Sequence, residues 1–110
     1  MTPFTEKVIA IIQSIPSGKV MTYGQIARLA GSPRAARQVV RVLHSMSKKY
    51  KLPWHRVINS KGQIAIKDDE SFHEQMLNLQ IEGIEVSPNG MVDLERFQVK
   101  QPPSLSTLLS

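Results

Sequence analysis

Apolar residues recur at helical spacing from the start of the chain: Phe4, Val8, Ile11, Ile12 and Ile15. Positions three, four and seven apart share one face of an α-helix, so the pattern predicts a first helix. It should open near Thr2-Pro3 or Thr5 and stop at Pro16, with Ser17-Gly18 as the following turn. Thr22 is placed to cap a short second helix over residues 23–30, with Ile26, Leu29 and Ala30 inward and Gly31 as its stop. Ser32-Pro33 offers a cap and a first-turn proline for a third helix through Ala35, Ala36, Val39, Val40, Leu43 and Met46. Two helices joined by a tight Gly-Ser-Pro turn make a helix-turn-helix pattern.

After Pro53 the period changes from helical to alternating. Residues 56–59 and 63–67 flank Ser60-Lys61-Gly62, which predicts a β-hairpin, and a hairpin after a helix-turn-helix is a wing. Ser71 and Glu74 have the spacing of a capping box for a further helix that stops at Gly83. Residues 87–90 form a turn. Pro102-Pro103 and the serines beyond predict a frayed tail over 101–110, leaving 1–100 as a single domain. The expected fold is mostly α with a small β-hairpin, of winged helix-turn-helix type.

Charge changes this picture more than composition does. Residues 7–67 contain twelve Lys and Arg and no Asp or Glu, while eight of the nine acids lie from Asp68 onward. A sixty-residue stretch purged of acids suits a polyanionic partner, and nucleic acid is the first choice. An anionic membrane fits less well, because the cations are not gathered on one amphipathic helix with an aromatic face. No run of eighteen apolar residues and no signal-peptide pattern are present, so neither a membrane partner nor export is expected. The absence of cysteine excludes disulfides, a thiol nucleophile and a cysteine zinc site, and fits a reducing cytoplasm.

Catalytic chemistry is correspondingly thin. His44, His55 and His73 lack metal-ligand spacing, so no metal or other cofactor is expected. No serine sits in a G-x-S-x-G elbow. The acid-free stretch offers no carboxylate of the kind a DNA glycosylase places beside a flipped base.

Three segments in fixed order carry a specific resemblance: "TYGQIARLAG" (22–31), "SPRAARQVVRVLH" (32–44) and "PWHRVINSKG" (53–62), with "IEG" at 81–83. Together they resemble the DNA-binding half of the O6-alkylguanine-DNA alkyltransferases over residues 4–94, nearly the whole chain. That family's third segment reads P-C-H-R-V, and its cysteine accepts the alkyl group. Here Trp54 stands in the cysteine position, the signature of the alkyltransferase-like proteins. The resemblance implies a protein that is not an enzyme. It would bind O6-alkylguanine in double-stranded DNA and pass the lesion to nucleotide excision repair proteins, of UvrA type in a bacterium. The chain would act as a cytoplasmic monomer, associated with the nucleoid when bound to DNA.

The resemblance also assigns roles. Thr22, Tyr23, Gly24, Arg34, Ala35, Ala36, Arg37 and Arg41 would contact DNA, with the helix in the minor groove. Arg37 would be the finger that enters the duplex when a nucleotide is flipped out. Tyr23, Trp54, Val57, Ile58 and Lys67 would line the pocket for the extruded base. Residues 60–67 correspond to a loop that closes over that base. His55 and Glu82 match a relay that ionises the transferase cysteine; with no thiol to activate, they and Arg56 become support for the pocket. Met46 would replace a hinge asparagine, and a single-module version without the transferases' N-terminal domain is expected. Minor-groove docking is physically consistent, because O6 faces the major groove and is inspected from the other side only by extrusion. The alternative from helix-turn-helix and charge alone is a winged-helix regulator of a specific operator.

Overall fold

The computed structural model describes residues 1–102 of the chain; most of the expected tail, from residue 103 on, lies outside the described residues. Helix α1 spans Pro3–Gln13 and is capped by the Thr2 hydroxyl, which accepts from the Thr5 backbone N–H at 3.1 Å. Its proline sits in the first turn, where a missing N–H costs nothing. Strand β1 is Met21–Thr22, and helix α2 is Tyr23–Leu29. Thr22 and Gln25 form a reciprocal capping box at the start of α2. Helix α3 spans Ala36–Tyr50 and ends on Lys51 in the left-handed region. A 3₁₀ turn at Trp54–Arg56 leads into strand β2, Val57–Ile58. Helices α4, Asp69–Ile81, and α5, Leu94–Phe97, complete the order.

The mostly helical class stands, but the hairpin does not. β2 pairs in parallel with β1, Met21 opposite Val57 and Thr22 opposite Ile58. On its other side β1 is joined by residues 97–99, through Val20 N–H to Phe97 O and Val99 N–H to Val20 O, both 2.9 Å. The turn after Asn59 is real, with the Asn59 carboxamide oxygen accepting from the Lys61 and Gln63 N–H groups. Beyond it the chain leaves β2 and bonds residues 90–92 instead, Val92 N–H to Gly62 O at 2.8 Å and Ile64 N–H to Gly90 O at 2.9 Å. Gly62 permits this with φ +81°, and a Cβ there would stand 2.5 Å from the Val92 carbonyl. The wing that the operator-binding alternative needs is therefore absent among the described residues.

Two caps also differ from expectation. Ser32 and Pro33 belong to a turn, and α3 begins later, behind Ala35, without a side-chain cap. Asp68, not Ser71, caps α4: its carboxylate accepts from the Ser71 N–H at 2.9 Å. An ionised Asp at this position also favours the positive end of the helix dipole.

Strand periodicity divides the interior in two. Met21 and Val57 face the cluster built from α1, α2 and α3, around Val8, Ile11, Ile12, Ile26 and Val39. Val20 and Ile58, one residue out of phase, face a second cluster with Ile64, Leu79, Ile84 and Val92. The short parallel ladder thus separates a helical half from a mixed half and holds both.

Candidate functional site

Where the two halves meet, a cleft of about 680 Å³ opens. Val40, Leu43, His44 and Ser47 of α3 form one wall, and Tyr23 and Trp54 stand beside them. Residues 65–68 form the rim, and Ser71, Gln75 and Val57 close the site. Large apolar walls with a few convergent polar groups are the usual build of a small-ligand pocket. Burial pushes the Tyr23 phenol up from its ordinary value, so at neutral pH its hydroxyl is a neutral donor.

Of the expected pocket residues, Tyr23, Trp54, Val57 and Lys67 lie together at this cleft. Ile58 does not. It is fully buried in the second cluster, because successive strand residues point to opposite faces and Val57 already takes the cleft side. Lys67 is exposed on the rim, beside Asp68.

The same helix α3 carries the basic surface. Arg34, Arg37, Arg41, His44 and Lys48 are spaced three, four, three and four residues apart, and all are exposed. On α3, Arg37, Arg41, His44 and Lys48 therefore share one helix face, and Arg34 lies in the turn just before it. Arg34, Ala35, Arg37 and Arg41 line a second, open groove with Ser32, Pro33 and Gln38. Arg37 stands one turn before Val40, a rise of about 4.5 Å, so the groove and the cleft adjoin along a single helix. Ala36 is half-buried at the first turn of α3, and Gly24 would meet nothing within 4 Å if it carried a Cβ. Thr22, expected at the DNA surface, is buried and its hydroxyl caps α2; it positions Tyr23 and does not face outward.

Glu82, at the C-terminal end of α4, ties the Trp54 turn to the rest of the fold. Its carboxylate accepts from His55 Nε2 at 2.7 Å, from Arg56 Nη2 at 2.7 Å and Nε at 3.0 Å, and from the Gly18 backbone N–H at 2.9 Å. Arg56 Nη1 also donates to the Ile15 carbonyl at 2.8 Å. The expected support trio is thus assembled, and it clamps the end of α1 to the turn that bears Trp54. Gln75 is a support residue that the sequence reading missed. It is 1% exposed, and its Nε2 donates to the carbonyls of His55 and Val57 at 3.1 and 3.0 Å. The signal was available: Gln75 and Leu79 are four apart on α4, with Phe72 and Met76 on the same face, so Gln75 had to point inward.

These bonds fix an expected acid response. Burial alone pushes the Glu82 carboxyl up, but the bonds from Arg56, then His55, then Gly18 outweigh it and hold the group at about 2, against an ordinary 4.5. A carboxylate held down in the folded state contributes its full stability above the unfolded value and loses it as pH falls through the folded value. Stability is therefore expected to drop by about 3 kcal/mol between pH 4.5 and 2. Urea melts across that window check it; Glu82→Gln, which cannot titrate, should flatten this part of the profile.

Comparison with known proteins adds an independent line. Residues 3–84 match the family model described as 6-O-methylguanine DNA methyltransferase, DNA binding domain. The chain is 45% identical over 95 residues to a DNA base-flipping protein of Escherichia coli K12, covering 86% of this chain and 73% of that one. It is 41% identical over 87 residues to alkyltransferase-like protein 1 of Schizosaccharomyces pombe, covering 78% and 81%. The crystal structure of S. pombe Atl1 in complex with damaged DNA containing O6-carboxymethylguanine superposes with a TM-score of 0.80 at 38% identity, over 92% of this chain and 98% of that one.

Proposed function

The chain belongs to the alkyltransferase-like branch of the 6-O-methylguanine DNA methyltransferase DNA-binding-domain family, and from that premise we propose that it reads O6-alkylguanine in duplex DNA without repairing it. One observation carries the reading. The cleft beside the basic helix is walled by Trp54, the residue that the resemblance of the P-W-H-R-V segment aligns with the transferases' alkyl-accepting cysteine, and the chain has no cysteine.

In this reading α3 enters the minor groove with Arg34 and Arg41 near the phosphates. Arg37 enters the stack as the target nucleotide rotates out, and its guanidinium bonds or stacks in the space left behind. Bare backbone at Gly24 and the small side chains of Ala35 and Ala36 let the duplex come close. The extruded base lies between the α3 wall and the 65–68 rim, with Tyr23 donating to its edge and Trp54 against its O6 substituent. Lys67 meets the polar edge from the rim. Extrusion costs a few kcal/mol, offset by these contacts. His55, Arg56 and Glu82 fix the turn that presents Trp54 and do no chemistry. The held lesion is then passed, in the cytoplasm, to excision-repair proteins.

The test is a titration of an O6-methylguanine duplex against its undamaged twin at matched salt, with a methyl-transfer assay alongside. Tighter binding of the lesion duplex with no label on the protein is expected. Equal affinities, or label transferred to the chain, would overturn the proposal.

A further inference from the structure

Ser47 sits on α3, one turn after Leu43 and His44, and contributes to the cleft wall. Its backbone carbonyl accepts from the Leu52 N–H at 2.9 Å, which ties this point of α3 to the segment two residues before the Trp54 turn. Among the described residues, its Oγ is the buried side-chain polar atom without a hydrogen-bond partner. A buried, unbonded hydroxyl is unfavourable, and in a native fold it calls for a reason. The cleft lining around it combines apolar Val40, Leu43 and Trp54 with the imidazole of His44 one turn earlier on α3. A serine there adds nothing to packing that alanine would not, and it lowers helix propensity. Its hydroxyl has one soft torsion, so rotation about χ1 turns it toward an occupant of the cleft.

We propose that Ser47 sets the adduct class: its hydroxyl bonds the polar terminus of O6 substituents such as hydroxyethyl, so that these are preferred over purely alkyl ones of the same length. The inference rests on the lesion-binding reading, because only there does the group beside Trp54 belong to the damage. In that reading Trp54 faces the O6 substituent, Ser47 lines the same cleft, and a hydrogen-bonding end would satisfy its orphaned hydroxyl.

Duplexes carrying O6-(2-hydroxyethyl)guanine and O6-propylguanine differ in replacing a terminal hydroxyl by a methyl. Their affinities are measured for the native chain and for Ser47→Ala, with the undamaged duplex as reference. The native chain should favour hydroxyethyl over propyl by about three- to tenfold, the range of one net hydrogen bond, and Ser47→Ala should erase that ratio. Alanine is the better helix former, so the variant is expected to fold. If both adducts beat undamaged DNA but their ratio is the same in the two proteins, the role of Ser47 is overturned and the lesion-binding reading stands. If neither adduct beats undamaged DNA, both fall.

Discussion

Arg37→Ala is expected to weaken binding to an O6-methylguanine duplex by about ten- to a hundredfold, the worth of a charge-assisted hydrogen bond in a desolvated site. The loss should be selective. In the proposed reading Arg37 serves the extruded state, so undamaged duplex, held there mainly by phosphate contacts, should lose far less. The side chain is exposed and outside both cores, so melting should move by less than about 0.5 kcal/mol. Arg41→Ala supplies the contrast. A phosphate contact should weaken both duplexes alike and reduce the log–log salt slope by about 0.9. Anisotropy titrations at three salt concentrations separate the two behaviours. Equal loss on both duplexes for Arg37→Ala would make it one more phosphate contact and remove the finger from the mechanism.

Glu82→Ala should be the most damaging single change to the fold, by about 3–5 kcal/mol. Its carboxylate is 11% exposed and accepts from His55, Arg56 and Gly18 at once. Removing it leaves a half-buried guanidinium with only the Ile15 carbonyl as partner. Leaving one charge of a buried pair uncompensated is what makes such deletions costly. Domains of this size hold about 5–15 kcal/mol in all, so the variant should unfold at markedly lower urea. A shift below about 1 kcal/mol would mean that the clamp between α1 and the Trp54 turn is dispensable.

The helices were legible because their signals are local. A 3.6-residue apolar period marks α1, α2 and α3; Thr22 caps α2 as expected, and of the two starts offered for α1 the structure takes Thr2. Apart from two helix caps, the failures are non-local. Ile64 and Ile66 alternate as a strand would, yet Val57 and Ile58 find their partners at Met21 and Thr22, far back in the chain. Nothing near residues 60–67 announces that pairing, so a turn that does exist was extended into a hairpin that does not. Strand alternation alone lets either Val57 or Ile58 reach the cleft, and only the ladder with Met21 and Thr22 turns Ile58 to the second core. Asp68 outcompeted Ser71 as a cap because it stands one turn earlier with a charged acceptor. The site itself was largely legible: Tyr23, Trp54, Val57 and Lys67 converge, as do His55, Arg56 and Glu82. Gln75 and Ser47 were not foreseen, since one acts through its neighbours' carbonyls and the other is notable only for lacking a partner.

The parallel pairing of Met21 and Thr22 with Val57 and Ile58 has a kinetic meaning. Tyr23 follows directly on one strand, and the Trp54 turn directly precedes the other. Closing the long intervening loop is an entropic cost met before either strand gains its partner. A chain that has formed its helices but not this ladder has a basic surface and no pocket. The recognition site therefore comes into being in the same cooperative step as the native state. Acid or a broken clamp at Glu82 then lowers the fraction of competent molecules, and apparent affinity falls by at least that fraction.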